Sequence, residues 1–146
     1  MWGVNGGCYL RYPVEIQNAE YVTSITLSMK CDDGFVVYLN GVEAGSLFRP
    51  SNLEWNSTTA DNQVRLGRDA TVLSTPVVLD LTAFREHLRN GPNVLAVHGL
   101  NATTEGTDFL VRPELSVTQG VPSSPLLIVP PPTTLALPFN AHPCTA

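Results

Sequence analysis

Four carboxylates are placed so that folding could gather them. Asp32 and Asp33 are adjacent, directly before Gly34, and Asp108 and Glu114 come near the end of the charged part of the chain. Carboxylates together with loop carbonyls suit calcium. The Asp32–Asp33 pair is equally suited to capping backbone N–H groups in a turn, and Glu114 to a structural pairing with Arg11 or Arg112. A second set is aromatic and amide-rich: Tyr38, Phe48, Arg49, Asn52, Trp55, Asn56, Asp61 and Asn62. Aromatic faces stack on the C–H faces of sugar rings while amides bond hydroxyls. The ligand set expected for a glycan is Trp55, Tyr38, Arg49 and Asn52. The competing reading has Trp55 folded back as a loop anchor.

Other reactive side chains are scattered. His98 shares a strand face with Val94, Ala96 and Leu100, which suits a packed, hydrogen-bonded imidazole, while His87 and His142 stand apart; no pair has metal-ligand spacing. Cys8, Cys31 and Cys144 show no metal motif either. They read as three thiols, as a Cys8–Cys31 bridge with Cys144 odd, or as a Cys144 bond to another subunit. Asn56-Ser57-Thr58 and Asn101-Ala102-Thr103 fit the N-glycosylation acceptor pattern at Asn56 and Asn101. No nucleophile elbow or phosphate-cradling glycine loop occurs, and no catalytic activity is expected.

The elements that must hold these groups read as strands. In 9–16 the even positions Leu10, Tyr12, Val14 and Ile16 share a face; in 21–30 the odd positions Tyr21, Thr23, Ile25, Leu27 and Met29 do. Period two marks half-buried strands. Asp32-Asp33-Gly34 reads as a turn, 35–39 as a strand, and Asn40-Gly41 as a type I′ hairpin turn, which needs φ > 0 at both central residues. Strand 42–48 returns, and 49–63 is a long loop. Strands follow over 64–73 and 76–81, then a short helix over 83–89 capped by Thr82 that buries Phe84 and Leu88. Residues 93–100 are apolar on both faces, as a central strand is, and 107–117 forms a last strand bent near Pro113. Many short strands with turn signals between them predict an all-β, antiparallel sandwich.

Composition narrows the partners. The net charge is −5 and no Lys/Arg cluster occurs, which excludes phosphate-backbone binding as a main task. No apolar run approaches the ~20 residues of a membrane span. The opening MWGVNGG has neither the basic nor the apolar region of an export signal.

Three segments resemble a known family. DDGFVVYLNGVEAG at 32–45 is similar to the hairpin of galactose-binding-like jelly-roll modules from large secreted bacterial multidomain proteins. GPNVLAVHGLNATTEGTDFLVRPEL at 91–115 resembles their closing pair of strands, and YLRYPVEI at 9–16 an earlier strand. The resemblance covers about residues 9 to 117. It implies a jelly-roll fold, an extracellular or cell-surface setting, and a structural calcium as the one cofactor to expect, at Asp32, Asp33, Asp108 and Glu114; no other cofactor is required. Two departures stand out: the family's preceding edge strands have no counterpart before residue 9, and an apolar extension follows the last strand.

The chain therefore divides into a jelly-roll sandwich, 1–118, and a tail, 119–146. Beyond Glu114 there is no Asp, Glu, Lys or Arg, and seven of the twelve prolines lie at or after Pro122. A solvated linker would be polar; this one is apolar at Leu126, Leu127, Ile128, Val129, Leu135, Leu137 and Phe139. A sandwich short of edge strands beside such a tail suggests strand addition. The leading expectation is a non-catalytic structural or adhesive module that self-associates into a filament or surface assembly through its tail. The alternative is a carbohydrate-binding module of a secreted glycan-degrading protein. The course of the tail, across its own domain or into a neighbour, separates the two.

Overall fold

The computed structural model describes residues 3–64 and 75–121. Among these residues seven strands make two antiparallel sheets packed face to face. The strands are β1 (Gly7–Ile16), β2 (Val22–Asp32), β3 (Gly34–Leu39), β4 (Val42–Leu47), β5 (Val77–Asp80), β6 (Gly91–Leu100) and β7 (Leu110–Gln119). The larger sheet has the order β1-β6-β3-β4, the smaller β5-β2-β7. This is an all-β sandwich, as the alternation of apolar residues predicts.

The core is the sum of the inward faces. Ile25, Leu27 and Met29 from β2 meet Phe35, Val37 and Leu39 from β3 and Leu95 and Val97 from β6, all buried. Removal of such side chains from water is the main drive to fold. Period two places them there, with one correction. A bulge between Val22 and Ser24 shifts the pairing of β2 with β7, so Val22 is buried while Tyr21 and Thr23 are exposed. An extra residue in one strand flips the faces on either side of it. β6 lies between β1 and β3, which is why 93–100 is apolar on both faces.

The turns follow their residue types. Asn40 and Gly41 have φ of 50° and 89°, the left-handed pair of a type I′ turn. Asp33 carries the chain from the smaller sheet to the larger. Pro113 is tolerated inside β7 because β7 pairs only with β2 among the described residues and needs no ladder N–H on its other side. The expected α-helix is a 3-10 turn over Thr82–His87, and Thr82 does not cap it. Its hydroxyl accepts from the Ile25 N–H at 3.1 Å and its own N–H donates to Asp80 Oδ1 at 2.9 Å. That pairing stitches the turn onto β2 and favours the tighter helix. The strand expected over 64–73 falls almost wholly outside the described residues.

Asn40 and Asn93 join two of the three sequence segments that carry the family resemblance. Asn40 Nδ2 donates to Asn93 Oδ1 and to the His87 carbonyl, both at 2.7 Å, and Asn40 Oδ1 accepts from the Val94 N–H at 2.8 Å. Asn93 in turn accepts from the Arg89 N–H and donates to the Arg89 and Gly91 carbonyls at 2.8–2.9 Å. The β3–β4 hairpin is thereby clamped to the start of β6.

Candidate ligand-binding face

The long loop that begins at Arg49 is held at its base and open at its tip. The Ala60 N–H donates to the Phe48 carbonyl at 2.8 Å, and the Thr59 N–H donates to the Asn101 carbonyl at 3.0 Å. The Thr59 hydroxyl donates to the Gln63 carbonyl at 2.7 Å, and Thr59 is only 3% exposed. Gly34 permits this docking: a Cβ there would lie 2.7 Å from the Leu47 carbonyl oxygen and 2.9 Å from Thr59 Cγ2. Gly6 is likewise closed by Thr58 and Ser57.

The tip is a turn over residues 54 to 57. The Ser57 N–H donates to the Glu54 carbonyl at 3.2 Å, and the Ser57 hydroxyl accepts from the Glu54 N–H at 2.8 Å. Trp55 and Asn56 sit at its centre, and Trp55 is 66% exposed. It is a displayed indole rather than a folded-back anchor. Beside the turn is a hollow of about 580 Å3 whose lining includes Ser51, Asn52, Glu54, Asn56, Ser57 and Asp61. Asn52 Nδ2 donates to Glu54 Oε1 at 3.0 Å, which fixes both side chains at its rim.

The loop is rooted on the outer face of the larger sheet. Arg49 Nε lies 2.9 Å from Glu43 Oε1 and its Nη1 donates to the Pro50 and Ser51 carbonyls at 2.8 and 3.3 Å. Glu43 stands opposite Tyr38 across β3 and β4. Partial burial raises the Tyr38 phenol above its ordinary pKa; the charge of Glu43 and the Tyr9 phenol add to this and Arg49 opposes it. Tyr9 lies flat on His98, ring centroids 4.2 Å apart and planes 19° from parallel.

Of the four residues expected to bind a glycan, Asn52 lines the hollow and Trp55 stands on the turn that bounds it, while Arg49 ties the loop to Glu43 and Tyr38, opposite Glu43 on the sheet, does not line the hollow. Arg49 acts as a brace, since its guanidinium is engaged by Glu43 and two carbonyls. Asp61, also singled out by type, lines the hollow with Glu54 and Ser57. The last two are ordinary loop residues, and only the fold of the loop brings them there.

Of the carboxylates expected to hold calcium, Glu114 lies apart from Asp32 and Asp33. Asp33 Oδ2 accepts the Ala102 N–H at 2.7 Å, so it serves as a backbone cap. Asp32 pairs with Leu110 in the ladder and Glu114 with Ser28; four residues of strand separate Leu110 from Glu114, about 13 Å at ~3.3 Å per residue. Glu114 shares a small surface recess with Lys30 and Arg112, not with Asp32, and Arg11 belongs to the other sheet. Among the described residues no three His, Cys, Asp or Glu are grouped to hold a metal. The implied calcium does not fit these residues.

Cys8 and Cys31 lie on strands of opposite sheets, and no disulfide joins them. Cys144, His142 and the expected assembly residues Leu126 to Val129, Leu135, Leu137 and Phe139 are outside the described residues. Asn56 is exposed on the turn. Asn101 is 5% exposed and Gly106 backs directly onto its amide, which leaves no room for a glycan there. His87, on the short helix where the sequence suggests exposure, is half-buried.

His98 is fully buried, and neither ring nitrogen has a hydrogen-bond partner among the described residues. The packed position matches expectation; the absence of a partner does not. Burial holds its pKa below the ordinary value. Between the folded pKa and the unfolded value of about 6.5 the unfolded chain binds a proton that the folded chain does not. His98 therefore leaves stability intact above about pH 6.5 and lowers it as pH falls below that. Urea melts at neutral and mildly acidic pH are expected to show this loss, and His98→Phe to flatten it. An unchanged slope in that variant would assign the pH dependence elsewhere.

No family model matches the sequence, and no curated protein does. Among solved structures the chain is similar to an α-L-rhamnosidase from Streptomyces avermitilis complexed with L-rhamnose, with 19% identity and a TM-score of 0.42 over 82% of this chain and 11% of that one. It is similar also to an α-L-rhamnosidase from Dictyoglomus thermophilum, with 17% identity and a TM-score of 0.42 over 76% of this chain and 10% of that one. A β-D-mannosidase from the same organism gives 17% identity and a TM-score of 0.37 over 66% and 9%. The chain thus spans about a tenth of the length of each enzyme.

Proposed function

We propose that this chain is a non-catalytic, glycan-binding accessory module of a larger secreted glycan-degrading protein, related to the galactose-binding-like jelly rolls. One observation carries the reading: a solvent-exposed Trp55 on a hydrogen-bonded turn beside a hollow of amides, hydroxyls and carboxylates. A displayed indole offers a flat apolar face to the C–H side of a sugar. Asn52, Asn56 and Ser57 both donate and accept hydrogen bonds, as a polyol requires. Glu54 and Asp61 are acceptors only when ionised and would repel an anionic ligand. The ligand class is therefore a neutral or amino sugar rather than a uronic or sialic acid.

The test is a titration of the full chain against neutral, amino and acidic oligosaccharides, followed by calorimetry and tryptophan fluorescence. Binding is expected for the first two classes, with no calcium requirement. Silence across all neutral and amino glycans at millimolar concentration would remove the proposal.

A further inference from the structure

Among the described residues the sandwich is open along one side. β1 and β7 are each ten residues long, and among the described residues each pairs on one edge only, β1 with β6 and β7 with β2. Their inward residues are less covered than the rest of the core: Leu10, Tyr12, Val14, Val111, Leu115 and Val117 are half-buried, whereas Leu27, Met29, Phe35 and Val97 are fully buried. Between the two strands runs a groove of about 300 Å3 lined by Val14, Ile16, Leu115 and Val117, with Glu15, Gln17 and Gln119 at its mouth. Gln119 closes that end by donating to the Gln17 and Asn18 carbonyls. A long unpaired edge beside half-covered apolar side chains is a surface that pairs with another strand.

We propose that residues 126–129 of this same chain occupy the groove as an antiparallel strand along β7. Three features select this occupant. The chain leaves β7 at the mouth of the groove, so the segment is tethered where it is needed and closing so short a loop costs little entropy. Residues 120–125, Gly-Val-Pro-Ser-Ser-Pro, are reversal-prone, and the run that follows, Leu126-Leu127-Ile128-Val129, is apolar, uncharged and partly β-branched. Its length also fits. Four residues reach about 13 Å along a strand, the span from Gln119 back toward Leu115, and Pro130-Pro131-Pro132 then ends the pairing because proline has no N–H to give. A six-residue reversal sets Leu126 opposite Gln119 and Ile128 opposite Val117. Ile128 then points into the groove, and Leu127 and Val129 point out.

Cysteine scanning tests the placement in the full chain. In a Cys8→Ser, Cys144→Ser background, Val117→Cys is combined in turn with cysteine at each of residues 126 to 129 and oxidised at low protein concentration. The expected product is an intramolecular disulfide with Ile128→Cys and none with Leu127→Cys or Val129→Cys. No disulfide at any position, or only disulfides between two chains, would overturn the proposal; the second result would give the groove to a second copy. Hydrogen exchange supplies a readout free of engineered cysteines. The Leu126→Asp/Ile128→Asp double variant is expected to exchange its β7 amides at least about tenfold faster than the parent, with β6 amides unchanged. Equal β7 rates would overturn it. The groove lies at the far end of β1 from the glycan hollow, so the two proposals stand or fall separately.

Discussion

Asn93→Ala is expected to lower the stability of the sandwich by about 3 kcal/mol, a drop of more than ~10 °C in melting temperature for a domain of this size. The side chain is 1% exposed and makes four hydrogen bonds, to Asn40, to the Arg89 N–H and to the Arg89 and Gly91 carbonyls. Each contributes about 1 kcal/mol net, and the partners left unpaired add their desolvation cost. Asn93→Asp should be no better, because it keeps the acceptors, loses both donors and buries a charge. Asn40→Ala should also destabilise, and the double variant should fall short of the sum because the two residues share a bond. Denaturant melts of the parent and the four variants check this. An Asn93→Ala variant within about 0.5 kcal/mol of the parent would show that the clamp does not hold the hairpin to β6.

Trp55→Ala is expected to weaken glycan binding by at least about tenfold, ~1.4 kcal/mol, and to leave stability within about 0.5 kcal/mol of the parent. The separation of the two effects follows from exposure: an indole that makes little contact with the fold is missed only by a ligand. Trp55→Phe should retain part of the affinity, since it keeps a smaller apolar face. Asn52→Ala should cost less than Trp55→Ala, because a neighbouring water can replace one hydrogen bond. Unchanged affinity in Trp55→Ala would place the sugar elsewhere. A coupled loss of stability and binding would mean that the indole is structural after all.

The Asn40–Asn93 clamp and the Asp33 cap explain what the sequence does and does not disclose. Asp33, Asn40 and Asn93 belong to the segments that resemble the jelly-roll modules, and each is spent on backbone: Asp33 on Ala102, Asn40 on Val94, Asn93 on Arg89 and Gly91. They are legible because a left-handed turn and a buried carbonyl tolerate few residue types. The same fact makes them uninformative about a ligand, and it turns an expected calcium carboxylate into a cap. Strand alternation predicted the inward faces because period two is local. The bulge at Val22/Ser24 and the sheet to which each strand belongs are set by long-range pairing, which no short window of sequence carries. For the hollow, Trp55 and Asn52 stood out by type. Glu54 and Ser57 join them and Asp61 only through the turn and the Thr59 anchor, whose bonds are largely to backbone and so leave little trace in residue identity.

That anchoring has an evolutionary and engineering corollary. The loop meets the body of the protein through two main-chain bonds, the interior Thr59 and the Arg49–Glu43 brace, none of which uses a side chain of residues 51 to 57, so those residues can change type without disturbing the sheets beneath. Recognition and folding are thereby uncoupled. Descendants of one scaffold can diverge in what they grip while melting at the same temperature, and a library randomised over those seven positions should yield new specificities from variants that nearly all fold.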